Sequence, residues 1–504
     1  MNSTLVTELL SVLDVAADRP VITEPSEVSG AELARRIRSM TDAFETAGVE
    51  PGEPVALFGR PGIDTLVAFL AMRAAGIVVV LPDPSAAPAV TLHRLRSAGV
   101  RLSLMSPLAV LATSVLRPLA RRRGVHLPAL RELRALDRSG GVIALGRAIP
   151  GLSTPLSRLR FDTAPVAGYR EADAAVIPTS GTTEQPKSVV HTDTSLTNAM
   201  HAVATLVAVE PGERILCGTF FAIVPALLSG AQVMLTATSL EQRREQLERC
   251  DVAYLTPPEL RALLACGARF DGTRVFSGSA PVTHTLLTAL RAAGASAAYG
   301  VYALTEIIPV ATVEADEKAS WAAHHQGDLL GHLLPGVQMR IDDDRLFLRS
   351  GSMADRYLGG EPLTWIDTGD LAARDDEHGL VLLGRSKEMI LRRTQNIYPS
   401  LYEPALHCHG VASAILIGVP DGDGEELVVA YLEPNENVPA AEIAAQLRSV
   451  YATWGEHRPD VTILASIPLA GRSKKPDRAA ATALARQLID GQHISGASLL
   501  DLDR

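Results

Sequence analysis

Cysteine is nearly absent. The four in 504 residues, Cys217, Cys250, Cys266 and Cys408, stand far apart with no Cys-x-x-Cys pair. That argues against a disulfide framework or a thiolate zinc site and suits a reducing compartment. Long apolar runs are missing too: the longest, Leu66 to Leu81, contains Arg73 and is too short to span a bilayer. The N-terminus carries Glu8, Asp14 and Asp18 but no basic stretch followed by an apolar one, so no secretory leader is expected. Positive charge is in deficit, with a net charge of -10, which argues against nucleic acid or an anionic membrane as a partner. The expected location is the cytoplasm. Lysine is the scarcest charge of all. Only Lys187, Lys318, Lys387, Lys474 and Lys475 occur among 47 basic residues, and the other 42 are arginine. A chain biased toward arginine keeps lysine where a compact, flexible ammonium does what a planar guanidinium cannot.

With 47% hydrophobic and 21% charged residues, the composition is that of a folded globular protein, long enough for two to four structural units. Pro54–Phe58 reads as a buried strand, 62–75 as a helix and 76–81 as the next strand, a rhythm that implies a parallel sheet with crossover helices. Residues 117–140 are arginine-rich, but Leu and Ala interleave at helical spacing, which favours a solvated helix face. Strands are expected at 214–218, 232–235 and 273–277, and from about residue 331 short strands and turns suggest a small antiparallel unit. After Gly384 helices and strands mix again. The division read from this is residues 1–383, a junction at 384–387, a smaller part at 388–490 and a tail at 491–504.

Four clusters carry chemistry. Thr179-Ser180-Gly181-Thr182-Thr183-Glu184-Gln185-Pro186-Lys187-Ser188 follows an apolar strand. Small hydroxyl residues around a glycine supply the donors a polyphosphate needs, and the lysine adds a mobile charge. The spacing also approaches a Walker A loop, but Pro186 removes an N–H where that loop needs glycine, and Val189 to Thr192 favours a strand over a helix. The second cluster, Tyr302-Ala303-Leu304-Thr305-Glu306, offers an aromatic for a base, a hydroxyl for phosphate and a carboxylate for a divalent cation. The third joins Asp367-Thr368-Gly369-Asp370 to Gly384-Arg385-Ser386-Lys387, and the fourth is Gly471-Arg472-Ser473-Lys474-Lys475-Pro476-Asp477-Arg478. Each alone also reads as a polar turn.

In order and separation, the four resemble the motifs of the adenylate-forming superfamily of acyl-CoA synthetases, peptide-synthetase adenylation domains and luciferases. The resemblance extends to Gly278-Ser279-Ala280-Pro281, Leu334-Pro335-Gly336 and Asn396-Ile397-Tyr398-Pro399. It implies an α/β multidomain fold: a large N-terminal domain of two mainly parallel sheets plus a small barrel, and a small mobile α+β C-terminal domain. It also implies ATP- and Mg²⁺-dependent activation of an acid to its adenylate, then transfer to a nucleophile, by family habit CoA or a carrier-protein thiol. Carried over by residue, Thr179, Ser180, Gly181, Thr182, Thr183 and Lys187 resemble the phosphate grip, and Tyr302 the adenine-stacking aromatic. Thr305 resembles a phosphate contact, Glu306 the Mg²⁺ ligand, Asp370 and Arg385 the ribose pair, and Lys387 the hinge. Lys475 resembles the lysine bridging the acid and the α-phosphate, with adjacent Lys474 as the alternative. Phe220, Phe221, Gly278, Ser279 and Ala280 fall where the acid pocket is expected.

Some positions depart from the pattern. Glu184 and Ser188 replace glycines of the phosphate loop, and Ala303 another. After the hinge, Leu391 stands where the family commonly has lysine and Thr394 where it has glycine. That segment faces the thiol route in the second half-reaction, so these changes make CoA a doubtful acceptor. Transfer to a thiol stays the leading expectation, and the alternative is an adenylating ligase of specialised metabolism with a non-thiol acceptor: amide formation, ring closure, or activation of a small oxyacid such as nitrite for attack by an amine. A non-catalytic nucleotide-binding relative is the alternative of another class.

Overall fold

Short β-branched runs separated by helical spacing become parallel strand–helix–strand units. The computed structural model describes the chain apart from residues 1–2, 24–26, 84–85, 123–124, 137–141, 159–168, 171, 179–186, 393–394, 422–424, 436–437, 471–474, 501 and 503–504. Pro54–Phe58 and Val78–Val80 are neighbouring parallel strands, with the helix Ile63–Ala74 crossing between them. Leu102–Met105 flanks the first strand and Asp173–Pro178 the second, also in parallel. Both belong to an eight-stranded sheet among the described residues. A thirteen-stranded sheet is parallel from Pro20–Thr23 through Arg214–Cys217 and Arg274–Ser277 to Ala297–Leu304. The short strands expected after residue 331 continue that sheet antiparallel, because Asp328–Leu333 pairs with Ile307–Glu314.

The main core packs strands of both sheets against the helices Thr4–Val15, Gly30–Ala47, Ile63–Ala74 and Asp193–Val207. Leu9, Leu13, Ile37, Phe44, Leu66 and Leu70 are fully buried there, each contributing on the order of 1.5–3 kcal/mol through lost apolar hydration. Arg73, the charge that interrupts the longest apolar run, is buried in this core. Its guanidinium donates to the Ile77 carbonyl at 2.6 Å and to Asp193 at 3.3 Å. Burial pushes its pKa down, and Asp193 opposes that shift.

Beyond Arg385, a four-stranded sheet is sandwiched between helices on its two faces. Alternation along Val411–Pro420 sends Ala414 and Leu416 toward Pro399–Leu406 and Ala440–Ala452, and Ile415 and Ile417 toward Arg478–Ile489. Residues 491–504, read from the sequence as a tail, supply the strand Ser498–Leu499 of this sheet, paired with Val461–Leu464. Too short to signal a strand by alternation, it is held by that pairing and by Leu500 and Leu502 against the core. No described helix is long and apolar enough to cross a membrane.

Candidate active site

Thr179, Ser180, Gly181, Thr182 and Thr183 lie outside the described residues, as does Glu184, but the strands on either side do not. Asp173–Pro178 and Ser188–Thr192 pair antiparallel, so Pro178 and Ser188 stand side by side at the carboxyl end of the parallel strands, where α/β sheets bind ligands. One contact braces the amino end of the first of these strands, and two lie nearer the mouth. Arg356, on a short strand paired with Ser188–Thr192, grips buried Asp173 bidentately at 2.7 and 2.9 Å. The Lys187 ammonium lies 4.5 Å from the centroid of the next residue's ring, Tyr357. The Tyr357 hydroxyl in turn donates to Glu306 Oε1 at 3.1 Å.

Glu306 and Thr305 sit at the turn between the antiparallel strands Ala297–Leu304 and Ile307–Glu314. Buried His191 ties that turn to the other sheet, since its Nε2 lies 2.8 Å from the Thr305 carbonyl, which can only accept. Nε2 therefore carries the proton. Burial lowers the pKa of His191 and keeps it neutral.

Tyr302 lies inside the strand rather than after it. Its hydroxyl donates to Asp370, whose other oxygen accepts from Arg385 Nε at 2.6 Å. The ladder explains the grouping: Asp370 and Arg385 are direct partners across Ile366–Asp375 and Gly379–Arg385. Asp370 is buried, and burial together with its charge raises the Tyr302 phenol well above its ordinary pKa.

Lys475 comes from the far end of the sequence, on a two-residue strand paired with Leu469–Ala470. Lys475 is exposed as a residue, but its ammonium is desolvated and lies within electrostatic reach of Arg385, Asp370, Glu388 and Glu306. Burial and the Arg385 charge lower its pKa, against the pull of the three carboxylates. Three residues on, Arg478 bonds Glu403 at 2.7 Å and Glu388 at 3.0 Å, which anchors the segment. Lys474 lies outside the described residues, and Lys387 is exposed at the turn between the two parts.

The acid-pocket candidates cluster at the carboxyl ends of the parallel strands. Phe220 opens the helix Phe220–Leu228 and stacks on Phe69 at 5.4 Å, and Phe221 packs beside it on the core. A side chain at Gly278 would meet the Val301 carbonyl at 3.0 Å and the Tyr254 hydroxyl at 3.3 Å. Ser279 takes a left-handed φ of 69° and is exposed, and Ala280 is half-buried. The Ser277 hydroxyl beside them is buried without a hydrogen-bond partner among the described residues. Burial pushes the Tyr254 phenol up to about 12.

Sequence reasoning missed Tyr357, His191 and the Asp173–Arg356 pair. A lone histidine in an apolar strand and an Arg-Tyr dipeptide carry no local signal. The strand ladder gives them meaning.

The segment after Arg385 is a hairpin, Ile390–Arg392 against Gln395–Ile397. Leu391 donates its backbone N–H to Glu426 at 3.0 Å while its side chain is 36% exposed. Thr394 lies outside the described residues.

Residues 12–350 match the family model described as AMP-binding enzyme. Among characterised relatives, the Mycobacterium tuberculosis 3-[(3aS,4S,7aS)-7a-methyl-1,5-dioxo-octahydro-1H-inden-4-yl]propanoyl:CoA ligase is 26% identical over 491 residues, covering 90% of this chain and 94% of that one. The fatty acid–[acyl-carrier-protein] ligase ScoC of Streptomyces coeruleorubidus is 25% identical, covering 82% and 83%. Among solved structures, the amide bond synthetase McbA of Marinactinospora thermotolerans superimposes with a TM-score of 0.76 at 21% identity, over 95% of this chain and 99% of that one. The chain belongs to the AMP-binding enzyme family, within the adenylate-forming superfamily, and is an AMP-forming, ATP-dependent ligase that adenylates an acid.

Proposed function

We propose that this ligase joins a carboxylic acid to AMP with release of pyrophosphate and passes the acyl group to an amine in preference to CoA. The observation that carries the first half is that the Lys475 charge falls within electrostatic reach of Arg385, Asp370, Glu388 and Glu306. Adenylation brings two anions together. A carboxylate oxygen attacks the α-phosphorus, the bond to the bridging oxygen breaks, and pyrophosphate departs. A preorganised ammonium offsets the charge that builds on the phosphorus. Asp370 and Arg385 receive the ribose and Tyr302 the adenine. Thr179 to Thr183, Thr305 and Lys187 hold the phosphates, and Phe220, Phe221 and Gly278 to Ala280 line the acid pocket. Glu306 would supply one oxygen to a Mg²⁺ ion, whose charge would offset that of the leaving pyrophosphate. The division into an N-terminal domain and a C-terminal domain swinging about Lys387 belongs to the same reading.

The amine acceptor rests on Leu391. After the hinge turns, this exposed aliphatic side chain would face the acceptor where a lysine would attract an anionic CoA. Leu391 and Thr394 remove that charge and add bulk. Stopped-flow mixing of preformed adenylate with CoA or with small amines tests this. The expected result is faster consumption by an amine. Rapid, saturable turnover by micromolar CoA, unaffected by Thr394→Gly, sinks it. A pyrophosphate-release screen over many acids, with mass spectrometry of the products, identifies the acid.

A further inference from the structure

The chain-wide charge of -10 conceals a strong segregation. Residues 84–160 hold thirteen arginines, no lysine and only two carboxylates, Glu132 and Asp137, a net charge of +11. The helices Pro88–Ser97, Pro107–Thr113 and Leu130–Arg134 of this segment pack on one face of the eight-stranded sheet. Leu92, Leu95, Val110, Leu130 and Leu133 meet Phe58, Val80 and Val176 there. Their opposite sides therefore form one outer layer. Arg96, Arg121, Arg122 and Arg131 are exposed and pair with no described residue. Elsewhere Arg73, Arg356, Arg385 and Arg478 each meet a carboxylate.

An apolar corner adjoins this charge. Leu108, Val115, Leu116 and Leu119 are 54%, 69%, 39% and 45% exposed. Four of the nine large apolar side chains exposed among the described residues thus fall within twelve positions, so the cluster is not random scatter. The helix Arg117–Arg122 buries none of its residues. Because Pro54–Phe58, Val78–Val80, Leu102–Met105 and Asp173–Pro178 are all parallel, the helix Pro107–Thr113 leaves the sheet at the same end as Pro178. The corner therefore lies at the active-site end.

We infer that this face docks the enzyme reversibly on an anionic lipid surface. Unpaired guanidinium groups bind headgroup phosphates in planar, bidentate fashion, and short aliphatic side chains enter the acyl boundary. Protein interfaces centre on aromatic and methionine anchors, and 107–122 contains neither. The proposal is independent of the acid and the acceptor, because it uses none of the residues assigned to the active site.

Flotation of the full chain with phosphatidylcholine vesicles, with and without about 30% phosphatidylglycerol, tests it, since only the second carries surface charge. Binding to the anionic vesicles alone, falling as salt rises, is expected. Arg121→Glu with Arg122→Glu, and separately Leu116→Ser with Leu119→Ser, should each weaken it by roughly tenfold or more while adenylation of a soluble acid stays unchanged. Equal binding to both vesicle types overturns the inference, as do double variants that bind like the parent. It is also overturned if the protein ignores vesicles and the arginine variant instead loses capture of an acidic carrier protein.

Discussion

Tyr302, Asp370 and Arg385 are locked together by a β-ladder and buried hydrogen bonds, whereas the hairpin carrying Leu391 turns a bare aliphatic side chain to water. The first group lies where the nucleotide is proposed to bind, the second where the acceptor arrives. A ladder fixes a site to within a fraction of an ångström, and a surface hairpin tolerates substitution with little structural consequence. The contrast teaches that the chemistry common to all adenylation is built into the sheets, while the identity of the acceptor is free to drift on an exposed edge.

The most severe way to break this comparison is to remove the support of the nucleotide side. Asp173→Ala would take the bidentate partner from the buried Arg356 guanidinium and leave it Asp355 at 3.0 Å, a loss on the order of 3 kcal/mol. Denaturant unfolding should register it, and a change under about 1 kcal/mol would show that Arg356 finds solvent instead. Lys475→Met should leave ATP binding nearly intact and slow adenylate formation by about 10²–10³-fold, the scale of losing one charge-stabilising group. Pyrophosphate release measures this, and a collapse in Lys474→Met with Lys475→Met near normal would transfer the role to the neighbour.

Smaller perturbations sharpen the contrast. Glu306→Gln should raise the Mg²⁺ concentration needed for half-maximal adenylation by about tenfold or more, because neutral amide oxygen is the poorer ligand. Tyr357→Phe keeps the ring beneath Lys187 but removes the hydroxyl on Glu306, so a shift in the same direction of only a few-fold is expected, about the worth of one hydrogen bond. An unchanged Mg²⁺ titration in Glu306→Gln removes that carboxylate from the metal site.

The smallest effect concerns pH. His407, at the end of the helix Pro399–Leu406, is pushed down to about 3 by burial, with Arg261 and His284 pressing the same way. Arg261 and His284 belong to the larger part of the chain, so His407 marks the contact between the two parts. A base whose pKa falls on docking is held neutral, so docking is at full strength above its free pKa of about 6.5 and weakens as pH falls below that. The adenylation rate should therefore decline by at most about tenfold per unit below pH 6.5, and His407→Gln should flatten that decline. An identical profile in the variant would assign the pH dependence to another group.

Strands and helices with strong periodicity were legible from residues alone. Pro54–Phe58, Ile63–Ala74 and Gln232–Leu235 fall where apolar runs and helical spacing put them. The helix Phe220–Leu228 was not legible in the same way, because Pro225 sits inside it and reads as a helix breaker. Motif order was enough to expect adenylation, since four spaced clusters of donors and charges have few other uses. Tyr357 and His191 stayed invisible because each acts on a residue more than fifty positions away, through a distance no local pattern encodes.

By itself, then, the sequence determined the strand–helix rhythm, the scarcity and placement of lysine, and the set of groups able to handle a nucleotide and an acid. Only tertiary structure decided which groups meet. Asp370 faces Arg385 because two antiparallel strands share a register, and the Lys475 charge feels Arg385 and Asp370 although some ninety or more positions separate them along the chain. Electrostatic energy depends on separation in space, and separation along a chain sets only an upper bound on it.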